Sequence, residues 1–244
     1  MDKDLSPRPL QRMFMEVPPS YDIINRLLTF RMDQVWRSGL VSALLDGSYG
    51  GGKDRRRILD LCTGTGDLAI RLRKRSNEGD AIFALDFSRP MLEIARGKAV
   101  SKGFTDIEFI HGDASDMPFK ESSFDAVGIA FALRNLTYKN PLRDLFLSEV
   151  ARVLKPGGRF IAVETCQPDN MLMRRAFHFY MKYYTAPVGS LLSGHPGAYR
   201  YLAYSARNYY EPWQLKEILL SAGFSRVNYR LLFKGVAARW ECIL

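Results

Sequence analysis

The run Ile58-Leu59-Asp60-Leu61-Cys62-Thr63-Gly64-Thr65-Gly66-Asp67-Leu68 carries an apolar segment into a glycine-rich turn and out into the start of a helix. Two glycines let the backbone take positive φ and pass close to a ligand, and a helix beginning there presents unpaired N–H groups. The stretch therefore reads as a cofactor loop. Its spacing departs from the dinucleotide pattern G-x-G-x-x-G, because Gly66 is followed by Asp67, Leu68 and Ala69. A carboxylate at the helix start also repels the diphosphate that usually sits there, which tilts the ligand away from a nicotinamide dinucleotide. The alternative is an ordinary strand, turn and helix corner in which Asp67 favours the helix dipole.

Working outward, two short helices are expected before this loop. Ile23, Ile24, Leu27 and Leu28 recur at helical spacing, as do Trp36, Leu40, Ala43 and Leu44 after Asp33 as N-cap. The first residues, 1–12, read as loose, and Gly47 to Asp54 as a flexible link to a first strand at Arg57 to Leu61. Strands and helices then alternate. Ala81 to Leu85 ends on Asp86, and Ser88-Arg89-Pro90 opens a helix carrying Met91, Leu92 and Ala95. Ile107 to Ile110 leads to His111-Gly112-Asp113, and Phe124 to Ala132 gives a fourth strand. Asn140-Pro141 starts a helix with Leu142, Leu145, Phe146, Val150 and Val153 on one face; after the turn Lys155 to Gly158, Arg159 to Val163 is the fifth strand. This alternation predicts an α/β fold, a mostly parallel, doubly wound sheet with helices on both faces. Residues 165–211 break the pattern and hold eight of the twelve tyrosines, with Phe177 and Phe179, which reads as an inserted aromatic cover. A helix over 213–222 and a hairpin, Arg226 to Phe233 with Val236 to Ile243, close the chain. The expected organisation is an N-terminal helical segment (1–52), an α/β core (53–164), a helical cover (165–211) and a C-terminal helix and hairpin (212–244) completing the core.

Composition narrows the function classes. At 244 residues the chain suits one α/β domain with an appended segment. Cys62, Cys166 and Cys242 are odd in number and form no C-x-x-C pair, so neither a disulfide framework nor a zinc ribbon is expected, and a reducing cytosol fits. A net charge of +9 admits nucleic acid, an anionic membrane face or an anionic substrate and does not choose among them. No apolar run approaches the roughly eighteen residues of a membrane span, and Met1-Asp2-Lys3-Asp4 does not read as a cleavable leader, so a protein that at most touches a membrane surface is expected. His111, His178 and His195 are too scattered for a metal motif, and neither a P-loop nor a G-x-S-x-G elbow is present; no metal is expected, and hydrolysis and phosphoryl transfer lose ground.

In open α/β sheets ligands sit beyond the carboxyl ends of the strands, so the polar residues there are the candidates. Asp86 lies about twenty residues past Gly66, where a carboxylate accepts both ribose hydroxyls; the alternative is a turn aspartate. Asp113, ending the third strand, suits an adenine amino group with Ala114 supplying a backbone N–H, or is a turn residue. Arg134-Asn135 directly follows the fourth strand, a cation and an amide suited to a polar substrate head; the alternative is an arginine capping a helix. Glu164 ends the fifth strand as either a substrate contact or a satisfied carboxylate. The aromatic cover from Phe177 to Tyr210 walls an apolar channel or packs its own helices.

With those residues assembled, the chain resembles the class I S-adenosylmethionine-dependent methyltransferases, and within them the ubiquinone/menaquinone biosynthesis C-methyltransferases of the demethylmenaquinone-methylating type. The resemblance runs from about Phe14 to Ala238. It rests on Tyr21-Asp22, Asn25, Leu28-Thr29, Asp33 and Trp36-Arg37, on the loop Asp60 to Asp67, and most specifically on Phe131-Ala132-Leu133-Arg134-Asn135-Leu136 and on Ala198-Tyr199-Arg200-Tyr201-Leu202 with Ser205 and Arg207. It implies a Rossmann-like seven-stranded sheet. It also implies S-adenosylmethionine as cofactor, held by Asp60, Thr63, Gly64, Thr65, Gly66, Asp86 and Phe87, with Asp113 and Ala114 near the adenine. Ala130 occupies a cofactor position where many members carry a serine, so the hydroxyl contact is lost. Arg134 and Asn135 are implied as catalytic residues at a quinol ring, with Tyr21, Tyr199 and Tyr201 as further substrate contacts. The implied reaction is C-methylation of a reduced prenylated quinone precursor, demethylmenaquinol or a ubiquinol precursor; methylation of a small phenolic metabolite or of RNA is the alternative. Guanidinium stays protonated, so Arg134 stabilises a phenolate rather than acting as base and Asn135 fixes the ring, while the proton acceptor is open between a side chain and a water. Transient membrane contact, no nucleic-acid partner, an open choice between monomer and homodimer, and a cytoplasmic or inner-membrane-face location complete the expectation. The departures fall in the cover and tail: Glu164-Thr165-Cys166-Gln167-Pro168 for E-F-S-K-P, His195 for an aspartate, and Ala238-Arg239-Trp240 for L-H-R-G.

Overall fold

The computed structural model describes residues 21–46 and 55–244, and of Tyr21 the backbone only; the segment 1–12 and the link 47–54 expected from sequence lie outside the described residues. Helices α1 (Tyr21–Leu28) and α2 (Met32–Leu44) precede β1 (Arg57–Leu61), followed by α3 (Asp67–Arg75), β2 (Ala81–Asp86), α4 (Arg89–Val100), β3 (Glu108–His111), β4 (Phe124–Ala130), α5 (Leu133–Thr137), α6 (Arg143–Val153) and β5 (Leu154–Thr165). In the cover, α7 (Met171–Tyr180) runs through a π-helical turn (Met181–Thr185) into α8 (Ala186–Ser193), and α9 (Pro196–Arg207) follows. The chain closes with α10 (Pro212–Ser221), β6 (Arg226–Leu232) and β7 (Ala237–Ile243).

The seven strands lie in the order β3-β2-β1-β4-β5-β7-β6. The pairs β1–β2, β1–β4, β2–β3 and β4–β5 are parallel, whereas β7 runs antiparallel to both β5 and β6. Alternation along β1 explains the two-layer cover. Leu59 and Leu61 face one cluster with Phe83, Phe124, Val127, Phe146 and Leu219, and Ile58 faces the other with Leu40, Leu44, Leu68, Ile82 and Ile161. Each such fully buried aliphatic side chain contributes about 1.5–3 kcal/mol of transfer free energy, so burial on both faces holds the layers together.

Local expectations fail where backbone chemistry intervenes. Arg31, at φ 62°, caps α2, and Asp33 sits inside its first turn. There it accepts hydrogen bonds from Thr29 Oγ1 (2.9 Å), Gln34 Nε2 (2.6 Å) and Arg37 Nη1 (2.7 Å). The Asn140 side chain accepts from Leu142 N at 3.0 Å, an Asx turn that delays α6 to Arg143; Leu145 then faces solvent and Leu147 is buried instead. The fourth strand stops at Ala130, because Phe131 turns the chain at φ 63°. At the tail, Trp240 is fully buried and its Nε1 donates to Pro212 O at 3.2 Å, while Arg239 reaches Gly39 O and Glu241. The altered C-terminal sequence therefore belongs to the core and not to the ligand site.

Candidate active site

Strand succession changes direction between β1 and β4, the position where open α/β sheets leave a crevice at their carboxyl ends. A cavity of about 760 Å³ lies there, within the range of small-molecule sites. It is lined at one end by Thr63, Gly64 and Thr65 and by the ends of β2, β3 and β4 through Asp86, Phe87, Asp113, Ala114 and Ala130. At the other end it is lined by Arg134, Asn135, Tyr199 and Tyr201.

The loop is built from below. Asp60 is buried and accepts hydrogen bonds from Thr63 Oγ1 (2.5 Å) and Ala69 N (2.9 Å), tying the turn to the start of α3. Burial pushes its carboxyl up to about 7 against the pull of those two donors. Gly66 takes φ 79°, and a Cβ there would fall 2.8 Å from Ala95 Cβ, so glycine is what lets α3 approach α4. Neither Asp60 nor Gly66 lines the cavity; both shape the loop that does. Above them, the Asp86 carboxylate accepts from Gly64 N (2.7 Å) with one oxygen and Ser88 N (2.9 Å) with the other, which leaves each oxygen a further acceptor site. Burial raises the Asp86 carboxyl, with the Ser88 and Gly64 amides opposing. Asp113 accepts from Ser115 N and Oγ, both at 2.8 Å, and the Phe87 carbonyl meets His111 Nε2 at 2.9 Å.

A polar cluster roofs this end. Thr65 Oγ1 donates to Asp22 of α1 at 2.7 Å, and Lys98 Nζ donates to Asp22 (2.7 Å), Asp67 (2.6 Å) and Thr65 (3.2 Å), while Arg26 pairs with Asp67 at 3.2 Å. Burial raises the Asp67 carboxyl, but Lys98, with Arg37 and Arg26, outweighs it and brings it down to about 2. The carboxylate that argued against a diphosphate is thus neutralised by cations, and it is α1, seated on the loop, that occupies the front of the helix. Asp22 stood in the recognised N-terminal pattern without a role; Lys98 carried no signal beyond an ordinary helix face.

At the other end Arg134 is buried and fixed. Its backbone N and Nη1 donate to Glu164 (3.0 and 2.8 Å), Nη1 also donates to Thr165 Oγ1 (2.9 Å), and Nε donates to Ser205 Oγ (3.0 Å). Nη2 makes no hydrogen bond to a described residue. The open choice at Glu164 resolves as the buried counter-ion of Arg134. Beside this pair, Asn135 lines the cavity, and its Oδ1 is buried without a partner among the described residues.

The cover splits the two readings of its aromatics. Phe177, Tyr180, Tyr199 and Tyr201 line the cavity, Tyr209 packs in the sheet core, and Phe179, Tyr183 and Tyr204 face solvent. Tyr199 is clamped between Ile24, Leu28 and α8; a Cβ at Gly189 would lie 2.2 Å from its ring, so only glycine admits that contact. Tyr21 begins α1, but its side chain lies outside the described residues.

The family model described as ubiE/COQ5 methyltransferase family matches residues 2–243. The chain belongs to that family. A demethylmenaquinone methyltransferase of Thermus thermophilus is 42% identical over 227 residues, covering 93% of this chain and 97% of that protein. The ubiquinone/menaquinone biosynthesis C-methyltransferase UbiE of Pseudomonas putida is 34% identical over 227 residues, covering 93% and 85%. Among solved structures, a possible histamine N-methyltransferase of Thermotoga maritima matches with TM-score 0.64 at 19% identity, covering 95% and 98%. Phosphoethanolamine N-methyltransferase 2 of Haemonchus contortus, in complex with S-adenosylmethionine, matches with TM-score 0.58 at 15% identity, covering 84% and 52%. These two share the fold, the Rossmann-like sheet with an antiparallel end.

Within the ubiE/COQ5 framework the departures after β5 are internally satisfied. Thr165 adds a hydroxyl to the Arg134 guanidinium, Cys166 Sγ donates to Gly235 O at 3.3 Å, and Gln167 bridges Ala206 O and His178 Nε2 at 2.7 Å each.

Proposed function

We propose that this ubiE/COQ5 methyltransferase methylates a ring carbon of a reduced prenylated quinone precursor, with demethylmenaquinol as the first substrate to test. The observation that carries the reading is one continuous cavity, from Gly64 and Asp86 past Arg134 and Asn135 into an apolar wall of Phe177, Tyr180 and Leu202. The donor fits the residues present. Asp86 offers spare acceptors to a ribose diol, Asp113 with the Ala114 amide suits the adenine edge, and Gly64 leaves the backbone bare where the two meet. S-adenosylmethionine supplies an activated sulfonium methyl when bound there, so the protein's task is to raise the nucleophilicity of the ring carbon. The Asn135 side-chain amide hydrogen-bonds a ring hydroxyl and sets the plane of the ring. Arg134 turns its free Nη2 edge to the ring oxygen; with its charge balanced by Glu164, it acts as a fixed donor more than as a field. Aromatic and aliphatic walls accept the prenyl tail. The test is methyl-labelled S-adenosylmethionine with chemically reduced demethylmenaquinol: label on the ring carbon is expected, and cofactor binding without label transfer would overturn the substrate reading.

The tail must reach its site from a bilayer. Among the described residues no helix is long and apolar enough to cross a membrane. On adjacent elements around the cavity, Ile23, Leu27, Phe30, Tyr183, Leu191 and Leu192 are exposed, Leu191 at 84%, with Arg31 and Lys182 exposed beside them. Apolar side chains rimmed by cations suit transient docking on anionic lipid. Sedimentation with anionic vesicles is expected to carry the protein down and Phe30→Ser with Leu191→Ser to reduce that binding about thirtyfold or more, since each exposed apolar group contributes roughly 1 kcal/mol or more. Equal recovery of the wild type with neutral and anionic vesicles would remove the idea.

A further inference from the structure

Once the ring is seated, one chemical need is unmet: a group that takes the proton from the ring hydroxyl. Arg134 is a permanent cation. The carboxylates that line the cavity are committed elsewhere. Asp22 and Asp67 share Lys98, and Asp33 holds Arg37, Gln34 and Thr29. Asp86 is bound to the Gly64 and Ser88 amides and Asp113 to Ser115, both at the cofactor end. The Cys62 thiol is pushed up by burial, as are the phenols of Tyr180 and Tyr201, and the Tyr180 hydroxyl already donates to Leu28 O at 2.5 Å. Tyr199 is a buried phenol packed on α1. Two of the three histidines are engaged outside the cavity, His111 with the Phe87 carbonyl and His178 with Gln167.

His195 differs from all of these. It lines the cavity, is half-buried, and its imidazole makes no hydrogen bond to a described residue. Its backbone is held firmly. Gly194 reverses the chain at φ 72°, Ser193 Oγ accepts His195 N at 3.0 Å, the His195 carbonyl accepts Ala198 N at 3.2 Å, and Pro196 restricts the residue before it. An imidazole on a pinned turn, in a residue that lines the cavity and without a hydrogen-bond partner among the described residues, is what general-base catalysis requires.

We propose that His195 is the general base of the reaction, taking the hydroxyl proton of the bound quinol ring; this rests on the quinol reading above. The O–H pair then delocalises onto the neighbouring ring carbon, which forms the new carbon–methyl bond while the sulfur–methyl bond breaks and leaves its electron pair on sulfur. The ring carbon next loses its own proton to water, restoring aromaticity, and the imidazolium returns its proton to the ring oxygen. One proton is released overall.

The experiment compares wild type, His195→Asn and His195→Asp with reduced demethylmenaquinol, each checked for folding by circular dichroism and for cofactor affinity by calorimetry. His195→Asn is expected to lower kcat by about 100-fold or more, the usual worth of a positioned base, with cofactor Kd within threefold and the acid limb of the kcat profile abolished. His195→Asp is expected to recover much of that loss and to move the acid limb to lower pH. A kcat for His195→Asn within threefold of wild type, or an unchanged pH profile, would overturn the proposal. Failure of the wild type itself to methylate the quinol would instead overturn the substrate reading, so the two are separable.

Discussion

Replacing Glu164 with alanine is expected to lower stability by about 3–5 kcal/mol, measured by urea unfolding, and to abolish methyl transfer. Glu164 is 0% exposed and is the ion-pair partner of a guanidinium that is itself 3% exposed. Removing it strands a buried cation and also leaves the Arg134 and Thr165 backbone amides without the carboxylate they share at 3.0 and 2.9 Å. Desolvated charge without a partner is among the few mechanisms that reach this magnitude in a single substitution. A second variant separates folding from chemistry. Arg134→Met with Glu164→Leu replaces the pair by apolar groups of similar volume, which typically restores stability because the pair's attraction is largely offset by its desolvation. That double variant removes the stranded charge but leaves the two backbone amides unpaired, so it is expected to recover part of the lost stability and still to transfer no methyl. A Glu164→Ala protein within about 1 kcal/mol of wild type would mean that the pair is better hydrated than its burial indicates.

This coupling also marks what a sequence can and cannot disclose here. Strand ends were legible, because apolar runs terminating in Asp86, Asp113 and Arg134 fix which residues meet at the carboxyl edge, and those residues do line one cavity. The direction of a side chain at the start of a turn was not. Asp60 shares the face of Ile58 on β1, points under the loop and organises it, which residue type alone does not distinguish from a ligand contact. Pairings across distant elements were invisible for the same reason. Lys98 meets Asp22 from 76 residues away and Glu164 meets Arg134 from 30, and no local periodicity connects them. The tail shows the opposite case: Arg239 and Trp240 depart visibly from the family ending, yet β7 places Trp240 in the core, away from the cavity. His195 carried a legible departure whose meaning needed the cavity, since a histidine in a turn is informative only when its neighbours' commitments are known.

Those commitments make Asp86 the residue whose loss should weaken cofactor binding most. Its two oxygens each accept one backbone amide, and each has capacity for a ribose hydroxyl. Hydrogen bonds to a charged acceptor contribute about 1.5–3 kcal/mol apiece, so loss of two predicts at least a 100-fold rise in the S-adenosylmethionine Kd for Asp86→Ala by calorimetry. Asp86→Asn keeps the shape and one good acceptor, and is expected to fall between alanine and wild type. The sign of the pH dependence follows from the same burial. A carboxyl raised by desolvation takes up its proton at higher pH than an exposed aspartate, and protonation removes an acceptor from the diol. Cofactor affinity is therefore expected to decline on acidification while exposed aspartates are still ionised, and the decline should be absent in Asp86→Asn. A Kd for the alanine variant within threefold of wild type would place the ribose elsewhere and leave Asp86 as a clasp between Gly64 and Ser88; a pH response surviving in the asparagine variant would assign it to another carboxylate of the cavity.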